Sequence, residues 1–188
     1  MRHVYQDKLE SARLVTRMLT ENDIPIWADF FADKEAVEFF PAFVLSSNLE
    51  SARHWVDKQL KRYADNRFGL QALIDRKSND FVGQCGLIRQ EVDDKEEVEV
   101  GYHIFKKYWG QGFAPEAARL FIDYAFQHDL TASVISIIDR KNIKSQRVAE
   151  KNGLAMEKET KWSGLDVYIY RINKHDYENM GYPDRKRF

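Results

Sequence analysis

The chain has 188 residues, a length that suits one domain with a full core. Hydrophobic residues make up 44% and charged residues 31%, which excludes a disordered chain. The net charge of −1 argues against general nucleic-acid binding, because neutralising phosphates takes a basic surplus. Cys85, the single cysteine, rules out an internal disulfide and suits a reducing compartment. It lies in the apolar run GQCGLI and reads as a buried structural thiol. MRHVYQDKLE has no apolar signal core, and no apolar run approaches a membrane span. The expected setting is the cytoplasm, with no membrane contact.

In chain order, Arg13 to Met18 reads as a first strand. Thr20, with Asp23 three residues on, reads as the cap of a helix through about Phe31, with Pro25 early enough to be tolerated. FFPAFVLSSN is a loop or short helix whose Phe39, Phe40 and Phe43 floor a pocket or cover the core. Leu49 to Asn66 is the next helix, with Ala52, Trp55, Val56, Leu60 and Tyr63 on one stripe. Phe68 to Asp75 and Phe81 to Gln90 are strands joined by the turn KSND. VDDKEE reads as a charged turn into the strand Val98 to Phe105. Further on come a strand from Ser133 to Ile138 and a helix from Asn142 to Asn152 stopped by Gly153. A hairpin of Leu154 to Trp162 and Val167 to Asn173 turns at Ser163 and Gly164. A short helix from Lys174 to Met180 precedes the basic tail Arg185, Lys186, Arg187. No repeat, low-complexity segment or linker interrupts this order, so residues 1–188 read as one mixed α/β domain on a central sheet.

The organising stretch is KKYWGQGFAPEAARLFIDYAF, Lys106 to Phe126. Gly110 and Gly112 let the backbone turn sharply and approach a ligand, and Pro115 suits a first helical turn. Ala117, Ala118, Leu120, Phe121, Tyr124 and Ala125 recur at three- and four-residue steps, a core-facing stripe. A strand, a glycine loop and a helix N-terminus together aim unpaired N–H groups at an anion, and the stretch reads as a pyrophosphate cradle. It is not a Walker loop, since no lysine follows Gly112. Nor is it a dinucleotide fingerprint, which wants glycine where Pro115 stands.

EVGYHIFKKYWGQGFAPEA and, about thirty residues on, NIKSQRVAEKNGL resemble the acetyl-CoA-binding core of the GNAT superfamily of N-acetyltransferases. SARLVTRMLTENDI resembles the first strand and helix of its RimJ/RimL-type branch, which acetylates ribosomal-protein N-termini. The likeness implies a mixed, mostly antiparallel seven-stranded sheet flanked by helices, with the fourth and fifth strands splayed to admit the cofactor. It implies acetyl-CoA as co-substrate and no metal. The family motif Gln/Arg-x-x-Gly-x-Gly/Ala reads here as Lys107-x-x-Gly110-x-Gly112, with Lys107 keeping the charge or standing as a surface lysine. Backbone N–H groups from Gly110 through Gln111, Gly112 and Phe113 to Ala114 would hold the pyrophosphate, and the strand edge at Ile104 and Phe105 would pair with pantetheine. Asn142 and Ser145 would bond cofactor amides; the plain alternative is helix capping.

Transfer to an amine requires positioning, a proton acceptor and oxyanion stabilisation. Glu99 is the candidate base; otherwise Glu97 and Glu99 simply face solvent between valines. His103 is a second candidate, on the same side if the strand is regular. The tyrosine many superfamily members carry seven residues after the asparagine is Ala149 here. Ser145 can serve as acid in its place, as can water, or the thiolate leaves unassisted. Between positions 21 and 38, six acidic residues stand against Lys34 alone, a local charge of −5 that would favour a cationic acceptor. A modest carboxylate base matches a partly deprotonated α-amine better than a lysine amine. The RimJ/RimL resemblance points the same way and implies as acceptor a peptide or protein N-terminus, expected to have a small first residue, the enzyme being a monomer or homodimer. The alternatives are a small amine or polyamine acceptor, or a catalytically inactive CoA-binding module.

Overall fold

The computed structural model describes residues 5–40 and 45–180, so Phe43 and the basic tail lie outside the described residues. Strands β1 (Leu14–Arg17), β2 (Gln71–Asp75), β3 (Phe81–Val92), β4 (Lys95–Ile104), β5 (Ser133–Asp139), β6 (Ala155–Trp162) and β7 (Leu165–Asn173) form one sheet. Its order is β1-β2-β3-β4-β5-β7-β6, and every neighbouring pair is antiparallel except β4 with β5. This is the mixed seven-stranded sheet expected. Helices α1 (Ile24–Ala32) and α2 (Asn48–Ala64) cover one face, with Trp27, Phe30, Trp55 and Val56 packed on Leu70, Ala72 and Ile88. Helices α3 (Phe113–Gln127) and α4 (Ile143–Lys151) cover the other, with Phe121 and Tyr124 packed on Leu73, Val98 and Val100. Helix α5 (Lys174–Asn179) rests Tyr177 on Phe126, ring centroids 4.8 Å apart. Among the described residues no helix is long and apolar enough to cross a membrane.

Local chemistry explains most boundaries. Asp23 accepts from the Thr20 amide at 2.7 Å and closes a single 3-10 turn, Glu21–Asp23, before α1 begins. Pro25 thereby lands in the first turn of α1, where its missing N–H costs nothing. The charged turn expected over VDDKEE shrinks to Asp93 and Asp94, at φ 50° and 61°. Both lie in the left-handed region that a two-residue hairpin turn uses, so Lys95 to Glu97 join the strand. All the stripe residues named for α3 are buried, and Ile122 and Phe126 join them, because the helix is also contacted from its flanks.

Arg171 on β7 fastens the far half of the sheet. It donates to both Glu97 carboxylate oxygens (2.8 and 2.9 Å), to Glu157 (3.0 Å) and to Ser133 Oγ (2.6 Å), bridging β4, β5 and β6. Glu97 therefore does not face solvent between valines. Its hydrogen bonds from Arg171 hold the carboxyl below the usual range against the opposing pull of burial. This stabilisation is present above the ordinary carboxylate value of 4.5 and is lost as pH falls below it. Arg171→Met would leave two carboxylates facing each other. Breaking a buried pair from one side costs ~3–5 kcal/mol, and partial exposure places this one nearer ~2–3. Chemical denaturation at pH 7 checks it; an unchanged midpoint would show the cluster to be dispensable.

Candidate active site

Gly110 and Gly112 adopt φ 75° and 84°, and Gly112 is the cap from which α3 starts. A Cβ at Gly110 would meet nothing within 4 Å; at Gly112 it would meet Arg13 Nη2 at 3.3 Å. The loop is open to a ligand and is bolted to β1 from behind. The Arg13 side chain donates to Gln111 O (2.8 Å) and Glu116 Oε2 (2.6 Å), and its guanidinium lies 4.4 Å over the Phe113 ring. Glu116 also accepts from Ser11 Oγ (2.6 Å) and the Arg13 amide (2.8 Å). Arg13 gave no sign of this in the sequence, where it read only as the start of a strand.

A cleft of about 690 Å³ runs from this cradle through the sheet. It exists because β4 and β5 pair at one position, Glu99 with Ile135, and then part. In a continued parallel ladder the Ile137 N–H would meet the Val100 carbonyl. Instead the Ile137 N–H bonds the Glu99 carboxylate, and Val100 O accepts the Ser136 hydroxyl at 3.1 Å. Strand alternation turns the backbone of Val100, Tyr102 and Ile104 toward the opening. Ile104 O is taken by the Trp109 indole N–H at 2.7 Å. The Tyr102 hydroxyl reaches across to Ser145 O at 3.0 Å.

Glu99 sits where the strands part. It accepts from Gln90 Nε2 at 2.8 Å. Burial lifts its carboxyl above the ordinary range; the Gln90 amide, the Ile137 N–H and the Arg62 guanidinium oppose this without cancelling it. That poises a carboxylate to take a proton. His103 shares the face, since β3 and β4 keep regular register from Gly83–Ile104 to Val92–Lys95. It packs among Phe40 (4.8 Å), Trp55 (5.4 Å) and Phe30 (6.0 Å), and burial pushes its pKa down to about 4. A ring so reluctant to hold a proton is the weaker base.

Of the residues expected at the site, Glu99, Ile104, Gly110, Gly112, Phe113, Ala114, Asn142 and Ser145 line the cleft. Asn142 does cap α4, accepting from the Ser145 amide at 3.1 Å, and its amide N–H groups stay available to a cofactor carbonyl. Phe105, Lys107 and Gln111 are not brought to the cleft. The Phe105 amide bonds Val82 O (3.1 Å) and its ring packs 5.3 Å from Trp27 in the α1 core. Lys107 is exposed with its ammonium 4.8 Å over the Tyr108 ring, and the Gln111 side chain folds back onto Lys107 O. Ala149 is buried in the core, and burial holds the Cys85 thiol high and inert. The cations at the cleft are instead Lys141, Lys144, Arg147 and Lys151, on and before α4. Their three- and four-residue spacings were visible in the sequence, but which face they share was not. A bare, approachable glycine backbone, an open strand edge and these cations together fit a diphosphate ester on a long amide-bearing arm.

A family model described as acetyltransferase (GNAT) domain matches residues 13–155, and the chain belongs to that family. It is a GNAT acetyltransferase, an acetyl-CoA-dependent N-acetyltransferase. The uncharacterised protein YkkB of Bacillus subtilis (strain 168) is 28% identical over 170 residues, covering 90% of this chain and 97% of that protein. The solved acetyltransferase of Agrobacterium tumefaciens superposes with TM-score 0.75 at 23% identity, over 92% of this chain and 98% of that one. RimL, named as a ribosomal L7/L12 alpha-N-protein acetyltransferase in complex with coenzyme A, superposes with TM-score 0.70 at 18% identity, over 87% and 95%. The spermidine N-acetyltransferase of Vibrio cholerae, in complex with CoA and spermine, does so with the same score and identity, over 90% and 100%.

Two outcomes follow from this geometry. Acetyl-CoA should raise the melting temperature, since a ligand of the native state adds ~2.7 kcal/mol at a hundred times its Kd. Gly112→Val forces a branched side chain to φ 84° and against Arg13 Nη2, which distorts the cradle, and it should abolish that rise. A folded variant with an undiminished rise would refute the cradle. The second outcome concerns His103, whose folded pKa of about 4 lies below its ordinary 6.5. The stability it contributes is complete above pH 6.5 and is lost as pH falls toward 4. His103→Gln should flatten that slope by ~1–3 kcal/mol, measured as urea midpoints across the interval.

Proposed function

We propose that the chain acetylates the α-amine of a peptide or protein N-terminus, in the manner of the RimJ/RimL-type branch, with Glu99 as general base. The observation that carries this is the position of Glu99, at the point where a through-sheet cleft joins the cradle side to the α1/α2 side. A thioester arriving from the cradle and an amine arriving from the other side meet there. The amine proton passes to Glu99, nitrogen bonds to the acetyl carbon, and the C–S bond breaks to release CoA as thiolate. Ser145 lines the cleft on the thioester side and is the candidate proton donor to that thiolate. Burial keeps the Tyr102 phenol well above its usual pKa, so Tyr102 holds α4 in place by hydrogen bonding and is ill suited to give up a proton.

RimL and the spermidine enzyme superpose equally well, so fold likeness does not choose between α-amine and polyamine. The charge balance of the acceptor side supports the α-amine. Of the acidic residues at positions 21 to 38, Asp23 is buried and bonded bidentately to Arg17 (2.6 and 2.8 Å), and Glu35 pairs with Lys106 (2.5 Å). The field available to attract a polycation is thus smaller than the residue count suggests. One buried cysteine at an inert pKa fits work in the reducing cytoplasm.

Glu99→Gln keeps the shape and removes the proton acceptor. Turnover should fall by ~10²–10⁴ while the acetyl-CoA-induced rise in melting temperature persists. In the parent enzyme, kcat should show an acid limb above the ordinary carboxylate range, because the Glu99 pKa is raised. Mass mapping of acetylated peptide decides the acceptor. Label on lysine ε-amines alone, or wild-type turnover in Glu99→Gln, would overturn the assignment.

A further inference from the structure

Glu99 is gripped from both of the strands beside it. Across the β3–β4 pair, Glu99 stands opposite Ile88 and Glu97 opposite Gln90, so Gln90 is the diagonal neighbour of Glu99. Diagonal positions lie ~7–8 Å apart, within reach of a long side chain. The carboxylate directly opposite Gln90 is already served, since Arg171 donates to both Glu97 oxygens at 2.8 and 2.9 Å. The Gln90 amide donates instead to Glu99 Oε2, at 2.8 Å. From the other side, across the gap, the Ile137 N–H bonds the same carboxylate. Gln90, Glu99 and Ile137 all line the cleft. An ionised carboxylate offers about four lone-pair sites, so two donors fix its orientation and leave room for a proton from an amine.

The charge around Glu99 explains why a neutral donor suits position 90. From α2, the Arg62 guanidinium acts on Glu99 through space while it bonds Gln59 Oε1 at 2.9 Å. On β4, Glu97 is held by Arg171, His103 is uncharged at neutral pH, and burial keeps the Tyr102 phenol protonated. Asp139 of β5, and Glu35 and Glu38 between α1 and α2, line the same cleft. A lysine or arginine in place of Gln90 would hold Glu99 ionised too firmly to accept a proton. An apolar residue would leave the carboxyl to burial and to free rotation.

We propose that Gln90 is a positioning residue for acetyl transfer, which turns the Glu99 carboxylate into the gap and holds it in the form that accepts a proton. It acts through the amide hydrogen bond and without contact to either substrate. This rests on Glu99 as general base and is independent of which amine is the acceptor.

The test is the pH dependence of kcat, with acetyl-CoA and a peptide bearing a free N-terminus, in wild type, Gln90→Met and Gln90→Lys. Methionine matches glutamine in length and has no donor. The ionised carboxyl then loses a hydrogen bond, so the acid limb should move up by ~1 pH unit. Below the limb this is a ~tenfold loss of turnover, because the rate there follows the ionised fraction. Lysine supplies a whole positive charge, so its limb should move down instead. The acetyl-CoA-induced rise in melting temperature should persist in both variants, since neither touches the cradle. The carboxyl carbon chemical shift of Glu99, followed by NMR in CoA-saturated protein, reads the same titration without any acceptor. A limb and NMR midpoint unmoved in Gln90→Met, or shifts of one sign in both variants, would overturn the role of Gln90 and leave Glu99 as base. Wild-type turnover in Glu99→Gln would overturn both.

Discussion

Parallel strands that pair once and then part leave backbone groups with nothing to bond, and the rest of this structure depends on how those groups are satisfied. Buried N–H and C=O groups are rarely left alone, because each costs about as much as a lost hydrogen bond. Here the gap between β4 and β5 is framed by side chains. Ser136 takes the Val100 carbonyl, Glu99 takes the Ile137 N–H, and Trp109 takes the Ile104 carbonyl. The sheet can stay open without a ligand, and the edge that remains is ready for the amides of one. Glu99 is thus placed by a structural need, at the mouth of the gap, where a proton acceptor is also of most use.

The cradle is held by a different kind of bond. A glycine loop has no side chains to anchor it, so its position must be set from outside. Arg13 does this through charge-assisted bonds to Glu116 and a bond to the Gln111 carbonyl. Because Ser11 and Arg13 flank the start of β1 while Glu116 lies in the first turn of α3, the loop is referred to the opposite edge of the sheet. The helix start, the open strand edge and the α4 cations then share one mouth.

Electrostatic environments separate the two candidate bases on β4. Both are partly buried in the wall of the cleft, and that burial disfavours the charged form of each. For a carboxyl this raises the pKa toward neutrality; for an imidazole it lowers it away. The same desolvation therefore makes Glu99 a better base and His103 a neutral aromatic wall. Ion pairs, one with the buried Asp23 before α1 and one with the exposed Glu35 after it, absorb part of the acidic charge of this segment.

Much of this was legible in the chain itself. The strand, loop and helix of the cradle, the missing tyrosine at Ala149 and the order of elements follow from glycine conformation, period and turn chemistry, which act over a few neighbouring residues. The candidate base could be named, since a glutamate two residues before Gly101 in a valine-rich strand is locally conspicuous. Local information does not say which strand edge stays unpaired, what lies across it, or which cations share a face. Phe105 was expected beside the cofactor because it ends the strand, but Val82 captured its amide and α1 its ring. Arg13 and Glu116 are separated by 103 positions, and Trp55 and Gly101, far apart in the chain, line one cleft only because α2 packs on the sheet. Contacts across such distances are chosen by how whole faces pack, so the cradle was written in the sequence and the shape of the acceptor side was decided by the fold.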